Sequence, residues 1–343
     1  MIRDNSFPKL NVKDYQHLRL HEFVNLLESN YDEKVVLELT KYFCLTTTNL
    51  EDMRYGMVFL HHCGFYSELD ILVNKNKASK AETNQKWAVV FELILDRFFR
   101  RAPNYTILTE LLQLKVEEPE LKAMVYIKII SLYFDIFLYG KLGELLEDLR
   151  LIIMHVNNPL LVSLYNSFID QLLFVFYWKR NEVVLARKYG FKLLNQMDAR
   201  RTTSHIHINL SLTYIFDDFE SSLHHLIEAR EIARHYQQHQ LLHMIENQNY
   251  PFICAHFNRL DQVETDDISE QAHLHLARNN FKQAQQLLSQ LTEVTPFTKY
   301  YLGRAYQDRK YLLSSYNDFI EKRSDYFFAR LPLMVLNNNS QLI

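Results

Sequence analysis

The residues in this sequence whose types and spacing could do chemistry are few, and they are binding groups rather than reacting ones. Arg200 and Arg201 lie in a short turn leading into a helix, close to where the concave face of a helical stack would start. A guanidinium there could receive a carboxylate, such as a peptide C-terminus, through paired charge-assisted hydrogen bonds. A solvated turn arginine is the plainer alternative. Asp325 precedes Tyr326-Phe327-Phe328-Ala329-Arg330-Leu331-Pro332. It is an acidic counterpart for the far end of such a groove, a role compatible with capping the next helix. Gln271, just inside Asp267-Ile-Ser-Glu270, is a further polar candidate, with a solvated first-turn side chain as its alternative.

Other chemistries find less support. His235, His239 and His243 are spaced four apart, with Glu231 one step back, as zinc ligands on a single helix face could be. Gln237-Gln238-His239-Gln240 reads as a turn that breaks the row, so no metal is assigned. Cys44, Cys63 and Cys254 are odd in number, far apart and without CxxC spacing, which suits a reducing cytosol and no disulfide framework. No G-x-S-x-G, P-loop, Rossmann glycine set or H-E-x-x-H occurs, so neither a catalytic residue nor a cofactor is assigned and the chain reads as non-enzymatic. The net charge of −3 argues against a surface uniformly coated for nucleic acid. Arg97, Arg100 and Arg101 form the clearest cationic cluster; they could contact phosphate or simply favour a helix C-terminus. The N-terminus has no apolar run of the secretory kind, and Leu172 to Trp178 is a short apolar stretch flanked by Asp170 and Lys179. A cytoplasmic protein without a membrane span is expected.

The elements that must position these residues are helices. Six Gly and seven Pro in 343 residues are too few for the turns of an all-β protein, and 13% aromatic residues imply bulky seams between helices. Leu302-Gly303, Tyr306, Ser315 and Phe319 have the spacing of one tetratricopeptide-type hairpin, with Gly303 and Ser315 at the close approach and Leu302, Tyr306 and Phe319 in the seam. Ala272, Ala284 and Leu288 precede Gly303, Ser315 and Phe319 by 31 residues, which is a structural period. The expected fold is all-α, a right-handed superhelix of tetratricopeptide-like hairpins over 16–343 behind a flexible arm, 1–15. The polar run 74–84 is the one candidate subdomain boundary. Thr48-Asn-Leu-Glu51 and Asp267-Ile-Ser-Glu270 read as capping boxes, Leu121 to Tyr139 as a helix closed by Gly140, and Pro251 should kink or split the helix Gln240 to Phe257.

Several stretches carry a family likeness. Phe23-Val-Asn-Leu-Leu-Glu-Ser-Asn-Tyr31 leading to Leu39-Thr-Lys-Tyr-Phe-Cys44-Leu45, then Ser269-Glu-Gln-Ala-His-Leu274 and Arg330-Leu-Pro-Leu333, resemble the AimR arbitrium receptors of Bacillus phages. The likeness runs in order from about residue 18 to 337. It implies a cytosolic regulator, in the host bacterial cell, that binds a short secreted peptide in the groove of its superhelix and controls the choice between lysis and lysogeny. The family's pocket arginine, ahead of a Phe-polar-polar-aromatic-Glu turn, falls on Arg201, with Phe216-Asp-Asp-Phe-Glu220 as that turn. Its pocket acid, five residues before the Arg of the RLPL segment, falls on Asp325. Two pocket asparagines fall on Val175 and Leu212, with Asn209 one turn before Leu212 on the same face.

Two departures shape the expected partners. Family members carry a helix-turn-helix domain ahead of the stretch matching Phe23, where about twenty residues stand here, too few for three helices. The tail Asn337 to Ile343 is shorter than the helix through which relatives dimerise. The resemblance therefore implies a signalling peptide as ligand, DNA or a regulator protein as the downstream partner, and a homodimer through the C-terminal region. The alternatives are an interaction scaffold without a peptide ligand and a response-regulator phosphatase resembling the Rap family.

Overall fold

The computed structural model describes residues 11–196 and 202–339, and its regular elements are all helical. The architecture is the expected all-α, helical-repeat one. The chain gathers into two compact units, one extending to Ile136 and including Glu144–Ile169, the other comprising Phe137–Gly143 and the chain from Asp170.

The first unit contains α1 (Leu20–Glu28), α2 (Glu33–Thr46), α3 (Leu50–Cys63), α4 (Tyr66–Lys77), α5 (Glu82–Phe98), α6 (Asn104–Gln113) and α7 (Pro119–Asp135). Helices α8 (Leu142–Ile153) and α9 (Pro159–Lys179) contribute residues to both units. The second unit continues with α10 (Val183–Gln196), α11 (Thr203–Thr213), α12 (Phe219–His235), α13 (His239–Met244) and α14 (Tyr250–His256). It ends with α15 (Ile268–Ala277), α16 (Phe281–Leu288), α17 (Pro296–Tyr306), α18 (Arg309–Asn317) and α19 (Arg330–Asn339).

In the first unit, helix ends follow local chemistry, with two corrections. The cap of α3 is Asn49 rather than Thr48, because its amide oxygen reaches the N–H groups of Glu51 (3.0 Å) and Asp52 (3.1 Å). Gly64 closes α3 in the left-handed region at φ 78°. The polar run 74–84 is not where the compact units divide. Asn76 and Asn84 are buried there: Asn84 Nδ2 donates to Asn76 Oδ1 (2.7 Å), and Asn76 Nδ2 donates to the Leu72 carbonyl (2.8 Å). Each buried amide thus has partners, so polar composition does not mean an exposed linker. Within the expected arm, Val12–Tyr15 forms a 3-10 turn with Val12 buried, and residues 1–10 lie outside the described range.

Helix α7 ends at Asp135, short of Gly140. The chain passes through Ile136 to a left-handed Phe137 (φ 62°), and Tyr139 N–H then donates to the Arg323 carbonyl (3.2 Å). Among the described residues α9 is the one helix long and apolar enough to cross a membrane by length and composition, but half of its apolar window is buried inside the protein. Asp170 and Lys179 on it are buried as well, as a core helix with paired charges allows.

The second unit shows why its helices start and stop where they do. Pro251 does not split the expected helix, which stays helical from α13 into α14. Residues Ile245–Asn249 form a π turn before α14, and the Asn247 carbonyl, which Pro251 cannot serve, accepts the Thr265 hydroxyl (2.6 Å). Asp267 caps α15 by accepting from Glu270 N–H (3.1 Å), but the capping box is only half formed. Glu270 turns its carboxyl inward to Tyr301 (3.1 Å), and Asp267 N–H donates to Thr265 Oγ1 (3.1 Å) instead.

The 31-residue period is real packing: Ala272, Ala284, Leu288, Gly303, Ser315 and Phe319 are all buried. Ser315 Oγ donates to the Pro296 carbonyl (2.7 Å) across the α17–α18 seam. Tyr306 departs from expectation and is 50% exposed, because α17 turns out through a left-handed Gln307 (φ 52°) just after it. Tyr301 on the same helix is fully buried, against Glu270 and His273 of α15.

A Cβ on Gly303 would stand 2.6 Å from Leu312 Cγ and 3.0 Å from Leu312 N, and the backbone atom cannot step aside. Gly303→Ala should therefore destabilise the protein, the overpacking cost of about 1–3 kcal/mol exceeding a helix-propensity gain of about 1 kcal/mol. Urea denaturation checks this, and an unchanged or higher midpoint would contradict the close approach.

Candidate ligand site in the second unit

Helix α11 is buried on most of its surface, with Thr203, Ser204, Ile206, Ile208, Leu210, Ser211 and Thr213 all inside. Of the accessible residues, His205, Asn209, Leu212 and, just past the end, Phe216 share one helix face, while the half-buried His207 points to His225 (3.1 Å). Arg201, four residues before His205 in sequence, lies outside the described residues. The turn after α11 is pinned from α10. Arg187 pairs with Asp217, donates to the Thr213 carbonyl (2.6 Å) and stacks over Tyr214 at 3.6 Å. Asp218 then caps α12 by accepting from Ser221 N–H (2.9 Å).

Asp325 is 2% exposed and uses both carboxylate oxygens. Oδ1 accepts from Phe328 N–H (3.0 Å), as a helix-start cap would, and Oδ2 accepts from Lys179 Nζ (2.9 Å). In this structure the basic group on Asp325 is thus a lysine of the same chain. Lys179 is equally enclosed, with Trp178 (3.8 Å), Phe328 (4.5 Å) and Tyr139 (5.0 Å) ring centroids around its ammonium. Burial pushes its pKa down, while Asp325 pulls it back up. The backbone ties the same elements together, with Tyr326 N–H donating to the Lys179 carbonyl (2.8 Å) and Asp325 N–H to the Phe319 carbonyl (2.8 Å) of the π turn Asp318–Lys322.

This anchoring brings two of the quoted segments together. Arg330 stacks over Phe216 at 4.1 Å and donates to Asn181 Oδ1 (3.2 Å), and the Phe216 and Phe327 rings meet at 5.0 Å. The 325–330 segment therefore abuts the end of the accessible α11 stripe. Gln271 has a different task, its amide donating to the Thr265 carbonyl (2.8 Å) in the turn before α15. Among the described residues no hydrogen bond or ion pair joins Asn209, Gln271 and Asp325 to one another. Val175 and Leu212 are half-buried, so each leaves some apolar surface accessible. The break at Gln237 (φ 53°) puts His235 on α12 and His239 and His243 on α13. No group of three or more His, Cys, Asp or Glu among the described residues could hold a metal ion.

Sequence reasoning passed over Lys179, His256, Arg304 and the inward face of Glu270. Burial raises Glu270 to about 8, although Tyr301 donates to it, and His273, which contacts both, is pushed far down by burial and by Arg304. His256 falls to about 4 through burial and the nearby cations of Arg304 and Arg330. The one available signal was the i,i+3 pair Glu270 and His273, legible only once Tyr301 is placed beside it.

Two outcomes follow. Lys179→Met and Asp325→Asn each leave a buried polar partner unmatched, with Lys179→Met costing about 3–5 kcal/mol. The double variant should cost less than the sum of the two by at least about 1 kcal/mol in equilibrium unfolding, and additivity would contradict the coupling. Glu270 has a folded pKa of about 8 against an ordinary 4.5, so its contribution to stability falls as pH rises through that window. Glu270→Gln should gain stability relative to the unmodified chain between pH 5 and 9, and a pH-independent difference would refute the assignment.

Comparison with known proteins gives these features a context. A family model described as AimR transcriptional regulator-like matches residues 35–338. The AimR transcriptional regulator of Bacillus phage SPbeta is 20% identical over 348 residues, covering 97% of this chain and 89% of that protein. The SPbeta prophage-derived uncharacterized protein YopK of Bacillus subtilis (strain 168) matches to the same extent. A solved structure of phAimR with ligand shares the fold at a TM-score of 0.75 and 17% identity, covering 98% of this chain and 99% of that one. Selenomethionine phAimR follows at a TM-score of 0.63, 17% identity, and coverage of 93% and 84%. A family match over nine-tenths of the sequence, on a fold shared from end to end, means that this chain belongs to the AimR transcriptional regulator-like family.

Proposed function

We propose that this regulator of the AimR type is a receptor for a short signalling peptide and controls phage lysis–lysogeny gene expression. The observation that carries the reading is agreement over 98% of the chain with a phAimR structure that has a ligand. The accessible α11 stripe and the abutting 325–330 segment supply a face of mixed character, with Asn209 and Leu212 on one side and aromatic rings on the other. Arg201, four residues before His205 in sequence, receives a peptide carboxylate. Asp325 takes part through its ion pair with Lys179, so a basic group of the ligand must compete with that lysine. Gln271 lines the turn before α15.

Peptide binding in this reading shifts the equilibrium between arrangements of the helical repeats and so changes what DNA or a partner regulator meets. The host cytoplasm as site of action and pairing of two copies through the C-terminal region belong to the same proposal. A second reading, an interaction scaffold without a peptide ligand, draws on Val175 and Leu212, which put apolar side chains where the family resemblance places amides.

Calorimetric titration with synthetic hexapeptides encoded just downstream of the gene tests the receptor reading. One of them should bind saturably, and Arg201→Ala should weaken it about tenfold or more, as loss of a charge-assisted hydrogen bond implies. Absence of binding by every such peptide would rule out the receptor and favour the scaffold.

A further inference from the structure

Behind the accessible stripe of α11, its seam with α12 holds two imidazoles in direct contact. His207, two residues from both His205 and Asn209, lies on the opposite side of a helix with about 3.6 residues per turn. Its Nδ1 meets Nδ1 of His225, on α12, at 3.1 Å, with the ring centroids 5.2 Å apart. His225 is 6% exposed and enclosed by rings: the exposed His224 at 5.3 Å, Phe191 of α10 at 5.6 Å and Tyr214 at 5.8 Å. The Tyr214 ring is in turn covered by Arg187 of α10, which Asp217 and the Thr213 carbonyl hold in place.

A contact of this kind limits how many protons the seam can hold. A hydrogen bond between two Nδ1 atoms needs an N–H on one ring and a lone pair on the other. The pair therefore accepts two neutral rings, or one neutral ring and one imidazolium. With both rings charged, two N–H groups and two like charges face each other at 3.1 Å. A hydroxyl or an amide at either position could rotate to suit its partner. An imidazolium has no acceptor to offer.

The surroundings push in the same direction. Burial lowers the pKa of both rings; for His225, the neighbouring His207, His224 and Arg187 add to it and bring the value to about 4. Glu228 on α12 favours a proton on His207, with His224 opposing it, so the first proton is tolerated there. Asp217, the carboxylate beside Arg187, is already committed to that arginine. In an opened chain each ring takes its proton near pH 6.5. Protons thus bind the opened seam first, and closure weakens as pH falls from about 6.5 toward 4.

We propose that the His207–His225 contact is an acid-sensitive clasp between α11 and α12, released when the second of the two rings is protonated. Because α11 carries the accessible stripe on its other side, the clasp sets how firmly the proposed ligand face is held. Binding and protonation are then linked: a ligand that favours the closed seam lowers the pH at which the seam opens, and acid weakens the ligand by the same factor. That linkage rests on the peptide-receptor reading. The clasp itself does not.

The test uses the full chain and needs no peptide. Hydrogen–deuterium exchange of α11 and the first half of α12 is followed at pH 6.5 and pH 5, each corrected for the intrinsic exchange rate at that pH. The opening constant of these segments should rise about tenfold between the two conditions, as one unmatched proton implies. His207→Gln should reduce that ratio to less than half, because the amide can turn its oxygen toward a protonated His225. His224→Gln, which changes the exposed neighbour outside the contact, should leave the ratio as it is. Near-UV circular dichroism establishes that the variants are folded, and His225→Gln takes the place of His207→Gln if the latter is not. A flat response in the unmodified chain, or a ratio in His207→Gln of half or more of the unmodified one, overturns the clasp. So does loss of the ratio in His224→Gln alone. Peptide binding that does not change with pH would leave the receptor reading intact, and a clasp that works in a chain binding no peptide would survive that reading, so the two fail separately.

Discussion

An ammonium and a carboxylate withdrawn from water each lose several kcal/mol of hydration, so a buried ion pair survives only where other groups complete its bonding. The Lys179–Asp325 pair meets that condition in the second unit. Asp325 spends its second oxygen on Phe328 N–H, and Lys179 rests its charge on three aromatic rings. The pair joins residues 146 positions apart and fixes the end of α9 against the turn before α19. Arg330, five residues beyond Asp325, owes its place over Phe216 to that anchor. If the pair is broken, the turn, the aromatic seam and the guanidinium above it lose their common reference.

The same rule governs the other buried polar groups. Where two charges can match, the protein buries an ion pair; where they cannot, it buries neutral forms. Glu270 keeps its proton near neutrality beside Tyr301, and His273 and His256 are held neutral. In the first unit, Lys128 and His61 are buried in contact, and burial pushes both bases down.

The fold was legible because its signals are local. The 31-residue period joining Ala272 to Gly303 and Ala284 to Ser315, the π turn ahead of Pro251 and the break at Gln237 each follow from one or two residue types. Most of the run 74–84 is exposed, as its composition implies, and it leads into α5 at Glu82; Asn76 and Asn84 are the exceptions, polar by type but bonded to backbone carbonyls in the interior. Tyr306 is exposed because a helix end, not the hydrophobic period, decides exposure there. The site was legible only in part. Asp325 and Arg330 stand in one short segment, but their partners, Lys179 and Phe216, come from far along the chain. No periodicity reports a contact across 146 residues. His256 and Arg304 gave no signal at all, since a lone histidine and a lone arginine acquire meaning only from what the fold places beside them.

The proposed seat of the short peptide is the α11 stripe together with the 325–330 segment of the second unit. Hydrogen–deuterium exchange of the full chain, with and without the hexapeptide encoded downstream of its gene, tests it most directly. Slowed exchange concentrated in residues 202–216 and 325–332 is the expected result. Protection confined to the first unit, or no change anywhere at saturating peptide, would contradict the account.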